Sequence, residues 1–137
     1  MEYICKVNSF VSRNESLEWG VLRSGKVGIS GTTYIPEIPE ENKVVQELNE
    51  ILKIENPTKR AIKYMLWGMR KQLFWDGNKR ASTIVANEIM IENGCGIIIV
   101  KEEHVLEFNR LLTEFYNTNE EEKITKFIYE NCIFGLE

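Results

Sequence analysis

Two apolar stripes at helical spacing flank one short polar stretch, and this arrangement constrains the chain more than any other feature. Ala61, Ile62, Met65, Leu66 and Met69 form the first stripe, and Ile84, Val85, Ile89 and Met90 the second. Both recur at the three- and four-residue steps of a helix face. Between them the run QLFWDGNKR, residues 72–80, breaks the period with an acid, a Gly-Asn pair and two cations. The pattern predicts two helices facing the same core and joined by a tight loop. The first begins at Asn56-Pro57, an N-cap followed by a proline at the first helical position. The second runs from about Asn78 to Asn93 and stops at Gly94.

The rest of the chain is mostly helical too. Ile4, Val7, Phe10 and Val11 predict a short helix that ends before Gly20. Val44, Val45, Leu48, Ile51 and Leu52 make another stripe, and EEHVLEFNRLLTEFY and EEKITKFIYENC read as two further amphipathic helices. The run GIIIV, residues 96–100, is too short for a helix and is expected to be extended. Residues 25–36 differ. Val27 and Ile29 alternate with small residues, Ser30-Gly31 signals a turn, and Thr32, Thr33, Tyr34 and Ile35 favour extended backbone, which predicts a β-hairpin. Pro36 and Pro39 then discourage further strands from adding to its edge. The expected fold class is mainly α with one hairpin flap. A length of 137 residues suits one domain across 1–137.

Composition narrows the function. The net charge of −4 argues against the basic face that nucleic acid requires. No apolar run approaches the roughly 20 residues of a membrane span, and the first ten residues lack a signal-peptide pattern. Cys5, Cys95 and Cys132 are odd in number and widely spaced, with no CxxC, so they read as reduced core thiols of a cytoplasmic protein rather than zinc ligands.

The polar stretch carries the chemistry. A helix that starts at Asn78 turns its first free N–H groups outward and attracts anions. Lys79 and Arg80 oppose the helix dipole unless an anion sits there. Gly77 lets a ligand approach the backbone closely. Asp76 is placed to hold a hard cation such as Mg²⁺, which prefers one or two carboxylates plus phosphate oxygens. Together these describe a polyphosphate cradle. The same residues also fit a capped helix with solvated charges.

Phe74, Asp76, Gly77, Asn78, Lys79 and Arg80 match in register the signature of the Fic/Doc (fido) family, His-x-Phe-x-Asp/Glu-Gly-Asn-Gly/Lys-Arg, which this chain resembles. VGISGTTYIPEIPEE resembles that family's flap and the Pro-rich turn after it, and the likeness runs from about Tyr3 to Gly135. The resemblance implies a Fic-type helical bundle, with the motif loop at 72–80 and the flap at about 25–36. It implies transfer of AMP from ATP to a protein hydroxyl (AMPylation), with ATP and Mg²⁺ as cofactors. Asp76 would hold the Mg²⁺, and Gly77, Asn78, Lys79 and Arg80 would bind the phosphates. Phe74 would pack inward to fix the loop. Ile29, Ser30, Gly31, Thr32, Thr33 and Tyr34 would dock a protein target by strand addition. Some members also have an antitoxin-like partner.

Three positions depart from the family pattern. Gln72 stands where the catalytic His belongs, and a carboxamide cannot take the hydroxyl proton. Loss of a general base costs on the order of 10²–10⁴ in rate. The only histidine, His104, lies outside the motif. Lys79 replaces the commoner Gly and occurs in Doc-like members, which keeps phosphotransfer as an alternative. Thr83 stands where many members carry a second Arg. A non-catalytic module that binds nucleotide or protein is the third reading. Trp67 is expected in the core, Trp75 against either ligand or solvent, and Asn87 as a structural amide.

Overall fold

The computed structural model describes residues 1–13 and 18–135. Its helices are α1 (Glu2–Ser12), α2 (Glu41–Leu52), α3 (Pro57–Lys71), α4 (Asn78–Glu92), α5 (Val105–Thr118) and α6 (Glu122–Asn131), with a 3-10 turn at Glu102–His104. Among the described residues the only strands are β1 (Ile97–Ile98) and β2 (Ile133–Phe134), paired antiparallel with Ile97 opposite Phe134 and Ile98 opposite Ile133.

The mainly helical class with one small antiparallel β element is therefore as expected. The position of the strand pair is not. It joins the GIIIV run to the end of the chain, whereas residues 25–36 form an extended, unpaired segment with a turn at Ser30-Gly31. The segment still alternates inward and outward, with Val27, Ile29, Thr32 and Tyr34 half-buried between exposed neighbours. The period-2 signal was real, but it reported a side-chain surface rather than a hydrogen-bonded ladder.

α3 is the central element. Its N-terminus is capped as predicted, with Asn56 Oδ1 accepting from the Lys59 N–H at 3.0 Å. Residues 64–69 are buried all round, as a helix enclosed on every side must be. On one side Ile62, Met65 and Met69 meet Met90, Ile98, Leu112 and Ile124. On the other, Tyr64 and Trp67 meet Ile4, Val7, Val44, Leu48 and Val85. Trp67 is thus a core residue. Gly68 lets α3 and α4 approach, because a Cβ there would lie 2.3 Å from Ser82 Oγ.

Three stripe residues do not face the core: Phe10 is 73% exposed, Leu52 49% and Ile84 47%. Asn87 is a structural amide, accepting from the Ile98 N–H at 2.6 Å and donating to the Ile98 carbonyl at 3.1 Å. It gives β1 the pairing that a further strand would supply. No helix among the described residues is long and apolar enough to cross a membrane.

The buried phenols predict an alkaline limit to stability. Burial pushes Tyr64 and Tyr116 well above the ordinary tyrosine value, and also raises the Cys132 thiol. Below about pH 8.5 the folded and unfolded chains both keep these protons, so nothing is lost. Above that the unfolded chain ionises first, at the thiol and then at the phenols near pH 10. Stability should then fall by up to about 1.36 kcal/mol per pH unit for each group. Urea midpoints should be flat from pH 7 to 8 and drop steeply from 9.5 to 11, with a shallower drop in Tyr116→Phe. A midpoint unchanged at pH 11 contradicts the burial assigned to these rings.

Candidate functional site

α3 ends at Gln72, whose backbone is left-handed (φ 49°, ψ 58°) and whose N–H bonds the Gly68 carbonyl at 3.2 Å. Glycine usually occupies such a C-terminal position, so a glutamine there is held by its surroundings. Its side chain is engaged as well. Nε2 donates to the Met69 carbonyl at 2.6 Å, and Oε1 accepts from Asn78 Nδ2 at 3.1 Å. Asn78 closes the loop. Its Oδ1 accepts from the Phe74 N–H at 3.0 Å and its Nδ2 donates to the Phe74 carbonyl at 2.8 Å. Phe74 is buried. The Asn78 carboxamide is therefore spent inside the loop, and only its backbone remains for a ligand.

The loop is also held from far along the chain. Asn8 Nδ2 and Ser12 Oγ on α1 donate to the Asp76 carbonyl at 2.8 and 2.9 Å. Gly77 lies directly against them, with φ +72°, and a Cβ there would come within 2.2 Å of Ser12 Oγ. Its missing side chain serves the packing of α1 as much as any ligand. Gly77 also starts α4, which has no side-chain cap and no acid in its first turn. The N–H groups of its first turn carry the positive end of the helix dipole.

Arg23 is the third holder. It is 1% exposed and donates to four carbonyls: Gln72 at 2.5 Å, Glu37 at 2.6 Å, Gly25 at 2.7 Å and Lys71 at 3.3 Å. Its own N–H donates to the Leu73 carbonyl at 2.9 Å. Burial pulls the guanidinium below the ordinary arginine value, yet the group stays charged. The second half of the flap has further ties. Arg70 stacks over the Tyr34 ring at 4.0 Å and donates through Nε to the Tyr116 carbonyl, and the Thr32 hydroxyl bonds Asn117 Oδ1.

Between flap and loop lies a cavity of about 460 Å³, lined by Gly28, Ile29 and Ser30 on one wall and by Gln72 and residues 75–80 on the other. Gly31, Thr32, Thr33 and Tyr34 are not in the lining, so only the first part of the predicted docking segment reaches the cavity. Trp75 stands between the two, with its ring against Gly25, where a Cβ would lie 2.6 Å from Cη2. Asp76, Lys79 and Arg80 are exposed, with Asp76 Oδ2 3.6 Å from Arg80. An exposed pair of this kind contributes about 0–1 kcal/mol. Lys79 and Arg80 also line a second, mainly apolar groove of about 1260 Å³, walled by α4, β1 and α5 and including Ile84, Ile91, Val105 and Phe108.

No protein-family model and no curated protein matches this chain.

What the site can do is therefore read from its geometry and from the motif itself. Among the described residues Asp76 is the only carboxylate in the cavity lining. Among the described residues no three His, Cys, Asp or Glu side chains come together as a metal site. A single exposed carboxylate suits Mg²⁺ that arrives with phosphate oxygens, not a tightly held resident ion. His104 packs edge-on to Phe127 and is absent from the cavity lining. Thr83 back-bonds to the Lys79 carbonyl at 2.8 Å and faces the groove.

Sequence reasoning missed Asn8, Ser12 and Arg23. Ile4, Asn8 and Ser12 are spaced by four, so two polar residues share the inward face of α1, and that signal was readable. Arg23 offered none, because its partners are backbone atoms brought in by the fold.

Proposed function

We propose that this chain binds a nucleotide polyphosphate with Mg²⁺ at the N-terminus of α4, with the nucleoside in the adjoining apolar groove. The observation that carries this reading is that Lys79 and Arg80 line both the polar cavity and the groove. One elongated ligand with an anionic end and an apolar end can then occupy both. The uncapped helix start supplies N–H donors to the phosphates, and Asp76 would share the Mg²⁺ with them. The chemistry that fits is that of the Fic/Doc family, AMP transfer from ATP to the hydroxyl of a protein laid along residues 28–30.

Gln72 sets the expected rate. It is no base, and its carboxamide is bonded to the Met69 carbonyl and to Asn78. Turnover should be weak or absent, which favours a nucleotide-binding module as the resting activity. Phosphotransfer of the Doc kind is the second reading, on the strength of Lys79.

Two measurements test this. ATP with Mg²⁺ should bind at millimolar concentration or below. Lys79→Glu with Arg80→Glu should weaken that binding by roughly ten- to hundredfold for each lost charge-assisted contact of about 1.5–3 kcal/mol. Absence of binding by the unaltered chain removes the cradle. Label transfer then separates the chemistries. With Gln72→His, label from the α-phosphate on lysate proteins marks AMP transfer, label only from the γ-phosphate marks phosphotransfer, and no label in any lane leaves binding alone.

A further inference from the structure

Residues 25–36 have no strand partner among the described residues, so something other than a β ladder must fix their position beside the motif loop. Arg23 has the required geometry. Two of its carbonyl partners, Gly25 and Glu37, bracket the segment, and the other two, Lys71 and Gln72, are at the end of α3. The last carbonyls of a helix lack intrahelical partners and carry the negative end of its dipole. A buried cation is therefore neutralised there by dipoles rather than by a carboxylate. The planar fork of a guanidinium spreads five N–H donors over three nitrogens, whereas an ammonium has three donors on one nitrogen.

We propose that Arg23 is the positioning residue of the cavity: it binds both ends of the flap to the C-terminus of α3, so that the flap and the motif loop move as one unit. The left-handed Gln72 backbone is held by the same contact, and with it the direction in which the chain enters the loop. The coupling is a property of the two walls and rests on the nucleotide reading only in the last arm of the test.

The test is amide exchange in Arg23→Lys and Arg23→Met. Lysine keeps the charge but cannot span four carbonyls. Exchange at the amides of residue 23, Gln72 and Phe74 should speed up together by at least about tenfold. The amides of Asn119 and Cys132, bonded to the Phe115 and Ile128 carbonyls at the ends of α5 and α6, should keep their rates. Equal acceleration at all five amides would make Arg23 a general stabiliser and overturn the proposal, as would no acceleration. If neither variant folds, the unaltered chain decides. In low urea the Arg23 Nε–H and the Gln72 and Phe74 amides should share one opening free energy, and distinct values overturn the coupling. Finally, pyrophosphate with Mg²⁺ should bind the folded variants about tenfold more weakly. Binding equal to that of the unaltered chain counts against positioning. If the unaltered chain binds none, the nucleotide reading falls while the exchange result still decides the role of Arg23.

Discussion

Gly77→Ala should cost about 3 kcal/mol or more and lower the thermal midpoint by roughly 10 °C. Two penalties add. The backbone at Gly77 has φ +72°, a region that alanine enters only at a cost. The new methyl would also lie 2.2 Å from Ser12 Oγ and 2.8 Å from Val11 Cγ1. Ser12 cannot simply turn away, because its hydroxyl donates to the Asp76 carbonyl at 2.9 Å and accepts from Asn8 at 3.2 Å. Relief requires α1 to shift, which loosens the loop it holds. Gly28→Ala is the control: nothing lies within 4 Å of a Cβ there and its φ is not positive, so it should be near neutral. Thermal unfolding followed by circular dichroism measures both. A Gly77→Ala midpoint within 2 °C of the parent would mean that α1 does not pack on the loop as described.

Asn78→Ala should cost about 2–4 kcal/mol, because both the N–H and the carbonyl of the buried Phe74 lose their carboxamide partner. Gln72 Oε1 loses its donor at the same time. Asn78→Asp keeps the acceptor for the Phe74 N–H and loses the two donated bonds, so it should fall between alanine and the parent. Urea unfolding gives the stability, and pyrophosphate titration gives the consequence at the site. Both variants should bind more weakly, although neither removes a cation. Unchanged stability in Asn78→Ala would show that the loop is closed by something other than this side chain.

Much of the fold was legible because it is local. The Asn56-Pro57 start, the stop at Gly94 and the stripes of α2, α3 and α4 depend on residues within a turn or two of one another. Ile84 shows where periodicity runs out. It recurs at core spacing, yet it borders the apolar groove at 47% exposure. A stripe records which face is apolar and says nothing of whether protein or ligand covers it. The motif loop was legible for the same reason as the helices, since Phe74 and Asn78 are four apart and bond each other.

By itself the sequence determined a mainly helical chain, the loop at 72–80, and a start of α4 at Asn78 with Lys79, Arg80 and Asp76 beside it. Only the tertiary structure decided that residues 25–36 remain unpaired, that the strand pair forms between Ile97–Ile98 and Ile133–Phe134, and that Asn8, Ser12 and Arg23 hold the loop. The physical reason is distance along the chain. Arg23 bonds the Gln72 carbonyl across 49 positions, and Asn8 bonds the Asp76 carbonyl across 68. Their acceptors are backbone oxygens, which every residue carries and no sequence pattern marks.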